Sequence, residues 1–135
     1  MAIYRRQFLI GSGAVVVAPV QATAFAVRLQ VYLSSARTAT GKHAAVLFDE
    51  EAQIHWQVQL PDRGHGGAFR PATSDTVIFA RRPGTFAFVI ERSSGQVTRI
   101  MASPADRHFY GHGVFSSDGR LLFTTENDFA EGRGV

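Results

Sequence analysis

Residues 111–125 read GHGVFSSDGRLLFTT, and residues 64–81 read GHGGAFRPATSDTVIFAR. Each stretch opens on Gly-His-Gly, continues into a short apolar run, crosses a polar turn and enters a second apolar run. His112 follows His65 by 47 residues. Two copies of one pattern at this spacing indicate a repeated structural unit rather than a chance similarity of short strings.

The rest of the chain from Val27 onward has the same character. Short runs rich in Val, Ile and Phe alternate with turn residues, and no stretch keeps a helical period over ~11 residues. The predicted strands are 28–33, 43–49, 54–60, 67–69, 76–81, 85–91, 96–101, 112–115 and 120–125, with a further run beginning near Arg133. The sequence therefore predicts an all-β fold.

The period of the repeat indicates the architecture. Residues 45–48 match residues 88–91 at a step of about 43, and units of forty-odd residues with four short strands each are typical of β-propeller blades. Residues 69–101 would form one complete blade, His112 would begin the next, and the first three strands would form a blade without its innermost strand. We expect an incomplete β-propeller of about two and a half four-stranded antiparallel blades after an N-terminal signal segment.

Length bears on the domain organisation. Residues 27–135 hold fewer than three blades, whereas closed propellers typically have four to eight. We therefore expect 27–135 to be the N-terminal part of a β-propeller domain, truncated in this sequence.

Residues 1–26 have the features of an export signal. Arg5 and Arg6 precede the apolar run that starts at Phe8, and the segment ends in small-residue triplets that suit cleavage after Ala24 or Ala26. The arginine pair predicts a twin-arginine-type signal peptide, a periplasmic protein, and membrane contact only during export. The alternative is a membrane anchor of about 20 residues, which two glycines, a proline and the cleavage triplets disfavour.

Composition excludes several classes of function. The 135 residues contain no cysteine, so disulfide scaffolds, cysteine zinc sites, iron–sulfur clusters and thiol catalysis are excluded. The net charge of +3 falls to +1 without Arg5 and Arg6. No basic run with interleaved aromatic residues exists, so nucleic acid is not an expected partner. Nucleotide-binding loops and serine-hydrolase motifs are also missing.

Longer strings resemble a known family. They are LP at 60–61, RGHG at 63–66, FARRPGTFA at 79–87, RHFYGHGVFS at 107–116 and TTEND at 124–128. Over residues 28–135 the chain resembles the exported bacterial domain-of-unknown-function family fifteen-thirteen, whose propeller is of the WD-repeat/YVTN-like kind. The resemblance implies a propeller fold and a periplasmic location, and it brings no established activity.

His65 and His112 are the main candidates for a ligand or metal site. In a propeller they would enter the innermost strands of neighbouring blades near the mouth of the central channel, and imidazole is a ligand for copper, zinc, iron and haem. A transition metal is therefore one possible cofactor, although two histidines fall short of a full ligand set. The alternative is structural, with each histidine pinning its blade by hydrogen bonds.

Further polar residues are expected on the same face as secondary candidates. Arg81 and Arg82 would hold an anionic ligand by paired hydrogen bonds or pair with acidic turns. The trio 126–128 would bind a cation or substrate through oxygen atoms, or form a solvated turn. The secondary candidates are Arg82, His108, Tyr110, Glu126, Asn127 and Asp128.

Three functions remain open at this point. We favour a non-catalytic propeller scaffold that binds a small ligand or a periplasmic protein. The second is a metal- or haem-linked periplasmic redox protein with histidines at the channel. The third is a lactonase-like hydrolase, which requires acidic residues gathered beside the histidines. Whether the protein is an enzyme is left open by the sequence.

Overall fold

A computed structural model describes residues 30–135, and these residues are all-β, as predicted. The strands are β1 (Val31–Arg37), β2 (His43–Asp49), β3 (Ile54–Leu60), β4 (Gly64–Phe69), β5 (Asp75–Ala80), β6 (Phe86–Glu91), β7 (Val97–Ala102), β8 (Arg107–Phe115), β9 (Leu122–Asp128) and β10 (Arg133–Gly134). The predicted signal peptide at 1–26, with Arg5 and Arg6, lies outside the described residues. Within them, no helix has the length and apolar character needed to cross a membrane.

The strands form three antiparallel sheets that follow one another along the chain. Sheet 1 has the order β1-β2-β3, sheet 2 the order β4-β5-β6-β7, and sheet 3 the order β10-β9-β8. Every pairing joins strands that are neighbours in sequence. Tight turns suffice for such connections, which explains why glycine and polar turn residues punctuate the sequence so regularly.

Sheet 2 lies between the other two sheets, and both of its faces are covered. On β5, Ile78 packs into one apolar cluster with Leu47 and Trp56 of sheet 1, whereas Phe79 packs into a second cluster with Phe109 of sheet 3. Because successive side chains of a strand point to opposite faces, a strand covered on both sides must be apolar throughout. This requirement accounts for the unbroken run VIFA at 77–80.

The two contacts between sheets are built alike. β4 of sheet 2 lies against β1 of sheet 1, and β8 of sheet 3 lies against β5 of sheet 2. At the first contact a side chain on Gly67 would overlap Leu33; at the second a side chain on Gly113 would overlap Phe79. Gly113 follows Gly67 by 46 residues, and Phe79 follows Leu33 by the same 46 residues, so β1 corresponds to β5 rather than to β4. Among residues 30–135, sheet 1 has no counterpart of β4.

Several strands extend further than the apolar pattern predicts. The sequence predicts strands at 28–33, 112–115 and 120–125, whereas β1, β8 and β9 span Val31–Arg37, Arg107–Phe115 and Leu122–Asp128. The reason is that the backbone ladder continues through polar residues: Arg107 pairs with Asp128, and His108 pairs with Asn127. Of the two alternatives for residues 126–128, the solvated turn is therefore wrong, because these residues form the end of β9.

Candidate functional site

His65 and His112 lie side by side on the first strands of two neighbouring sheets. Their ring centroids are 4.8 Å apart, with the rings nearly perpendicular. Both strands are irregular at this point, since the β4–β5 register shifts between Gly64 and Gly67, and the β8–β9 register shifts between Phe109 and Gly113. Each histidine therefore lies within a bulge-like irregularity, a feature that sheets commonly use to re-aim a side chain.

Two glycines allow the strands to approach this closely. Gly111 is buried and has a φ of +94°, and a Cβ atom there would lie 2.7 Å from the Cβ atom of His65. A Cβ atom on Gly66 would crowd the carbonyl oxygen of Gly111. Any larger residue at either position would push β4 and β8 apart, so the Gly-His repeat places the two imidazoles together.

An open cavity of about 230 Å³ adjoins the histidine pair. It is lined by His65, Arg81, Arg82, Tyr110 and His112. The two arginines lie in the turn between β5 and β6, which is closed by a 2.8 Å hydrogen bond from the Gly84 amide to the Arg81 carbonyl oxygen. The guanidinium carbon of Arg82 lies 5.3 Å from the centre of the Tyr110 ring, a cation–π contact that orients this arginine.

The surroundings of the cavity are cationic. Desolvation lowers the pKa of His65 from its ordinary 6.5, and three neighbouring groups lower the pKa further by positive charge. These groups are, in decreasing order of effect, His112, Arg81 and Arg63. Each of them makes protonation of His65 less favourable, so His65 prefers its neutral form unless negative charge enters the cavity.

His108 lies next to this cavity and is almost completely buried, with 3% of its surface exposed. Its ring lies 4.3 Å from the ring of Phe129 and 5.8 Å from that of Tyr110, measured between centroids. Its Nδ1 atom is buried without a hydrogen-bond partner. A second cavity, of about 310 Å³, is lined by Arg82, Pro83, His108, Asn127 and Phe129. Arg82 therefore lines both cavities.

The acidic candidates do not gather at the histidines. Asp128 is buried, lies 3.5 Å from Arg107 as an ion pair, and accepts a 3.3 Å hydrogen bond from the Glu131 amide. The Glu126 carboxylate accepts a 3.3 Å hydrogen bond from the Thr124 hydroxyl. Of the predicted trio, Asn127 lines the second cavity. These contacts give Asp128 a part in holding β8 to β9.

Sequence reasoning overlooked two residues of this region, Arg63 and Phe129. Arg63 affects the charge at His65, and its position two residues before that histidine was an available signal. Phe129 follows a segment predicted as a turn, and nothing in the pattern indicates that it stacks on His108. The sequence identified His65, His112 and Tyr110 as separate candidates. The contact between the two histidine rings arises from the packing of β4 against β8, which the sequence alone does not show.

A complete metal site is not evident within residues 30–135. No group of three or more histidine, aspartate or glutamate side chains there is arranged to hold a metal ion. His65 and His112 supply two imidazoles on one side, and their other neighbours are arginines and a tyrosine. Imidazoles beside two guanidinium groups are a poor environment for a cation, because the positive charges of Arg81 and Arg82 repel it.

These features define an all-β protein of consecutive antiparallel sheets, with a cationic, histidine-containing cavity where the first strands of sheets 2 and 3 meet. Residues 58–135 match the family described as "Protein of unknown function (DUF1513)", which is more than half of the chain. The chain belongs to this family. No curated protein matches the chain.

Proposed function

We propose that this protein is an exported, periplasmic β-propeller that acts without catalysis, as a scaffold for a small ligand or a partner protein. The binding face is the one that carries His65 and His112. The observation on which the proposal rests is the convergence of these two repeat-related histidines, 4.8 Å apart, beside the cavity that Arg81 and Arg82 also line. Concave sites with a few convergent polar groups are where ligands bind.

The repeated packing of the sheets supports the propeller. In a propeller each blade rotates into the next by the same operation, so equivalent residues must meet equivalent neighbours. Gly67 against Leu33 and Gly113 against Phe79 are such equivalent contacts. The first strands β4 and β8 would then face the central axis, and β1, which is an edge strand of sheet 1, would have room for an innermost strand beside it.

The lining of the cavity supports a non-catalytic role. Among the described residues, those that line it include no carboxylate, serine or threonine. A hydrolase of the triad type orients its histidine with an acidic group and places a nucleophile within hydrogen-bond reach. The buried acid Asp128 of the predicted trio is instead paired with Arg107.

A ligand screen tests the binding face. Small metabolites of positive, negative and zero charge are tested for their effect on the thermal unfolding of the full chain, and each hit is repeated on His65→Ala/His112→Ala. The matched control is His43→Ala, which removes a partly exposed histidine whose ion pair with Asp62 is long at 3.7 Å. We expect at least one ligand to raise the melting temperature of the wild-type protein and of the control, but not that of the double variant. The ligand itself should be recovered chemically unchanged. Equal stabilisation of all three proteins, or turnover of the ligand, would contradict the proposal.

The second candidate function is the metal- or haem-linked redox protein, which the proximity of the two imidazoles favours. Metal analysis of protein purified from the periplasm decides it. A bound equivalent of transition metal that disappears in His65→Ala/His112→Ala would support this function. Less than ~0.1 equivalent in the native protein would remove it, because a resident metal site is stable enough to survive purification.

The export part of the proposal depends on Arg5 and Arg6. We expect Arg5→Lys/Arg6→Lys to leave the protein in the cytoplasm, because the twin-arginine route reads the arginine pair rather than positive charge alone. Cell fractionation with immunodetection measures this, and Arg28→Lys is the matched control. Undiminished periplasmic protein in the double variant would contradict the twin-arginine route, and cytoplasmic wild-type protein would contradict export itself.

A further inference from the structure

We propose that the cavity lined by His65, Arg81, Arg82, Tyr110 and His112 binds an oxyanion, namely the phosphate, sulfate or carboxylate group of a small ligand. The inference rests on the binding face of the proposed function and adds the chemical class of the ligand. The lining side chains carry hydrogen-bond donors from three different elements, β4, β8 and the β5–β6 turn. Oxyanions are recognised by such converging donors, and most tightly by arginine, whose planar fork matches two of their oxygen atoms.

No carboxylate of the described residues forms an ion pair with the two arginines that line the cavity. Among residues 30–135, the ion pairs that involve arginine are Arg70 with Asp75 and Arg107 with Asp128. Neither Arg81 nor Arg82 takes part in an ion pair with a described residue, and both are exposed. An anion entering the cavity would therefore gain charge-assisted hydrogen bonds without first displacing a carboxylate.

His65 responds to the same positive charges. The charges of His112, Arg81 and Arg63 lower the pKa of His65, so protonation of this ring is opposed while the cavity holds no anion. A bound oxyanion would offset that repulsion and allow His65 to donate from a protonated ring. A metal cation in the same place would add to the repulsion instead, and so the surroundings favour an anion over a metal ion.

The fold holds these groups in place before any ligand arrives. Gly66 and Gly111 let β4 and β8 approach until the imidazoles meet, and the ring of Tyr110 lies against the guanidinium of Arg82. The Gly84 carbonyl oxygen accepts a 3.1 Å hydrogen bond from the Phe109 amide, which fixes the arginine turn to β8. Groups fixed in this way lose little conformational entropy on binding.

Calorimetric titration of the full chain with sodium sulfate, sodium phosphate and sodium acetate tests the inference. Arg81→Gln/Arg82→Gln removes two charges at the cavity, and Arg99→Gln/Arg120→Gln removes two exposed charges at a different cavity, lined also by Arg70 and Met101. We expect the first variant to weaken binding of at least one anion by about tenfold or more, since each lost charge-assisted bond is worth a factor of that size. The second variant is expected to change affinity less than about twofold.

The pH dependence supplies an independent readout. Sulfate keeps its charge between pH 5 and 8, so any change in its affinity reports on the protein. The titratable and charged groups that line the cavity are His65, His112, Arg81, Arg82 and Tyr110, and the charge of Arg63 also acts on His65. Histidine is the residue type in this set that gains positive charge as the pH falls through this range, and we expect tighter sulfate binding at pH 5.5 than at pH 8, with the difference lost in His65→Ala/His112→Ala.

Each outcome decides the matter. Absence of binding for all three anions, equal weakening in both arginine pairs, or weakening in Arg99→Gln/Arg120→Gln alone would overturn the inference. The proposed function survives this failure if neutral or cationic ligands still lose their effect in His65→Ala/His112→Ala. Arg81 and Arg82 are exposed, so their variants are expected to fold; circular dichroism and an unchanged melting temperature verify this, and Arg81→Lys/Arg82→Lys separates loss of charge from loss of the fork.

Discussion

At the scale of single residues, the site depends on glycine as much as on histidine. Gly111 and Gly66 remove the side chains that would otherwise separate β4 from β8, and the φ of Gly111 is one that other residues adopt only at a cost. The repeat of Gly-His along the chain therefore has a specific meaning. It brings two bulged strands into contact and exposes one imidazole from each.

Gly111→Ala is expected to lower the free energy of unfolding by about 2 kcal/mol or more, from backbone strain combined with overlap against His65. Gly132→Ala is the control, because Gly132 also has a positive φ of +62°, but a Cβ atom there would have no neighbour within 4 Å. It should cost about 1 kcal/mol from backbone strain alone. Urea denaturation measures both, and equal losses would contradict the close approach of the strands.

The pKa of His65 provides a second prediction at this scale. Arg81→Gln should raise the pKa of His65 towards 6.5, because it removes one of the positive charges that oppose protonation. Since the folded-state pKa lies below the unfolded value, stability falls as the pH drops from 6.5 towards the folded-state pKa, and the variant should show a smaller fall. NMR titration of the His65 ring protons measures the shift, with Arg99→Gln as the control; an unchanged midpoint would contradict the proximity of Arg81.

At the scale of secondary-structure elements, sheet 2 organises the described residues. Alternate side chains of β5 pack into the two apolar clusters, and those of β6 do the same. Each of these strands therefore contacts sheet 1 on one face and sheet 3 on the other. This arrangement also positions the site, because the turn that carries Arg81 and Arg82 follows directly from buried β5. Packing of β5 in the core therefore restrains the backbone of the turn that lines the cavity.

Phe79→Ala should lower the free energy of unfolding by about 3–5 kcal/mol, since the ring is fully buried between sheets 2 and 3 and its removal leaves a cavity. Phe123→Ala is the matched control on β9, where the ring is 56% exposed, and it should cost less than about 1 kcal/mol. Chemical denaturation of both variants tests the packing. A loss for Phe79→Ala as small as that for Phe123→Ala would contradict it.

The β6–β7 hairpin yields a prediction about acid stability. Hydrogen bonds from the side chains of Ser94 and Ser93 lower the pKa of Glu91 from 4.5 to about 2. The carboxylate therefore stabilises the folded hairpin above pH 4.5, and this contribution is lost as the pH falls towards 2. Ser94→Ala should raise the pKa of Glu91 and flatten the pH dependence of stability in this range. NMR titration measures the pKa of Glu91, with Ser117→Ala as the control. A pKa still near 2 in Ser94→Ala would contradict the role of the Ser94 hydrogen bond.

At the scale of the whole molecule, the sequence was a good guide to the class of fold and a partial guide to the site. The limits of β2 and β3 follow from alternating and continuous apolar runs, and the all-β class follows from those runs together with the turns. The polar ends of β8 and β9 could not be predicted, since the backbone ladder continues there without an apolar pattern. Phe129 joins the site through its packing against His108, which one-dimensional spacing does not encode, whereas Arg63 lies only two residues before His65.

The propeller is the claim on which the proposed function depends, and a crystal structure of the full-length protein tests it most directly. We predict that sheets 1, 2 and 3 are successive blades around one axis, that β4 and β8 face this axis, and that the centroids of the His65 and His112 rings lie about 4.8 Å apart. A closed barrel or a two-layer sandwich that places the two histidines on opposite sides would contradict the account.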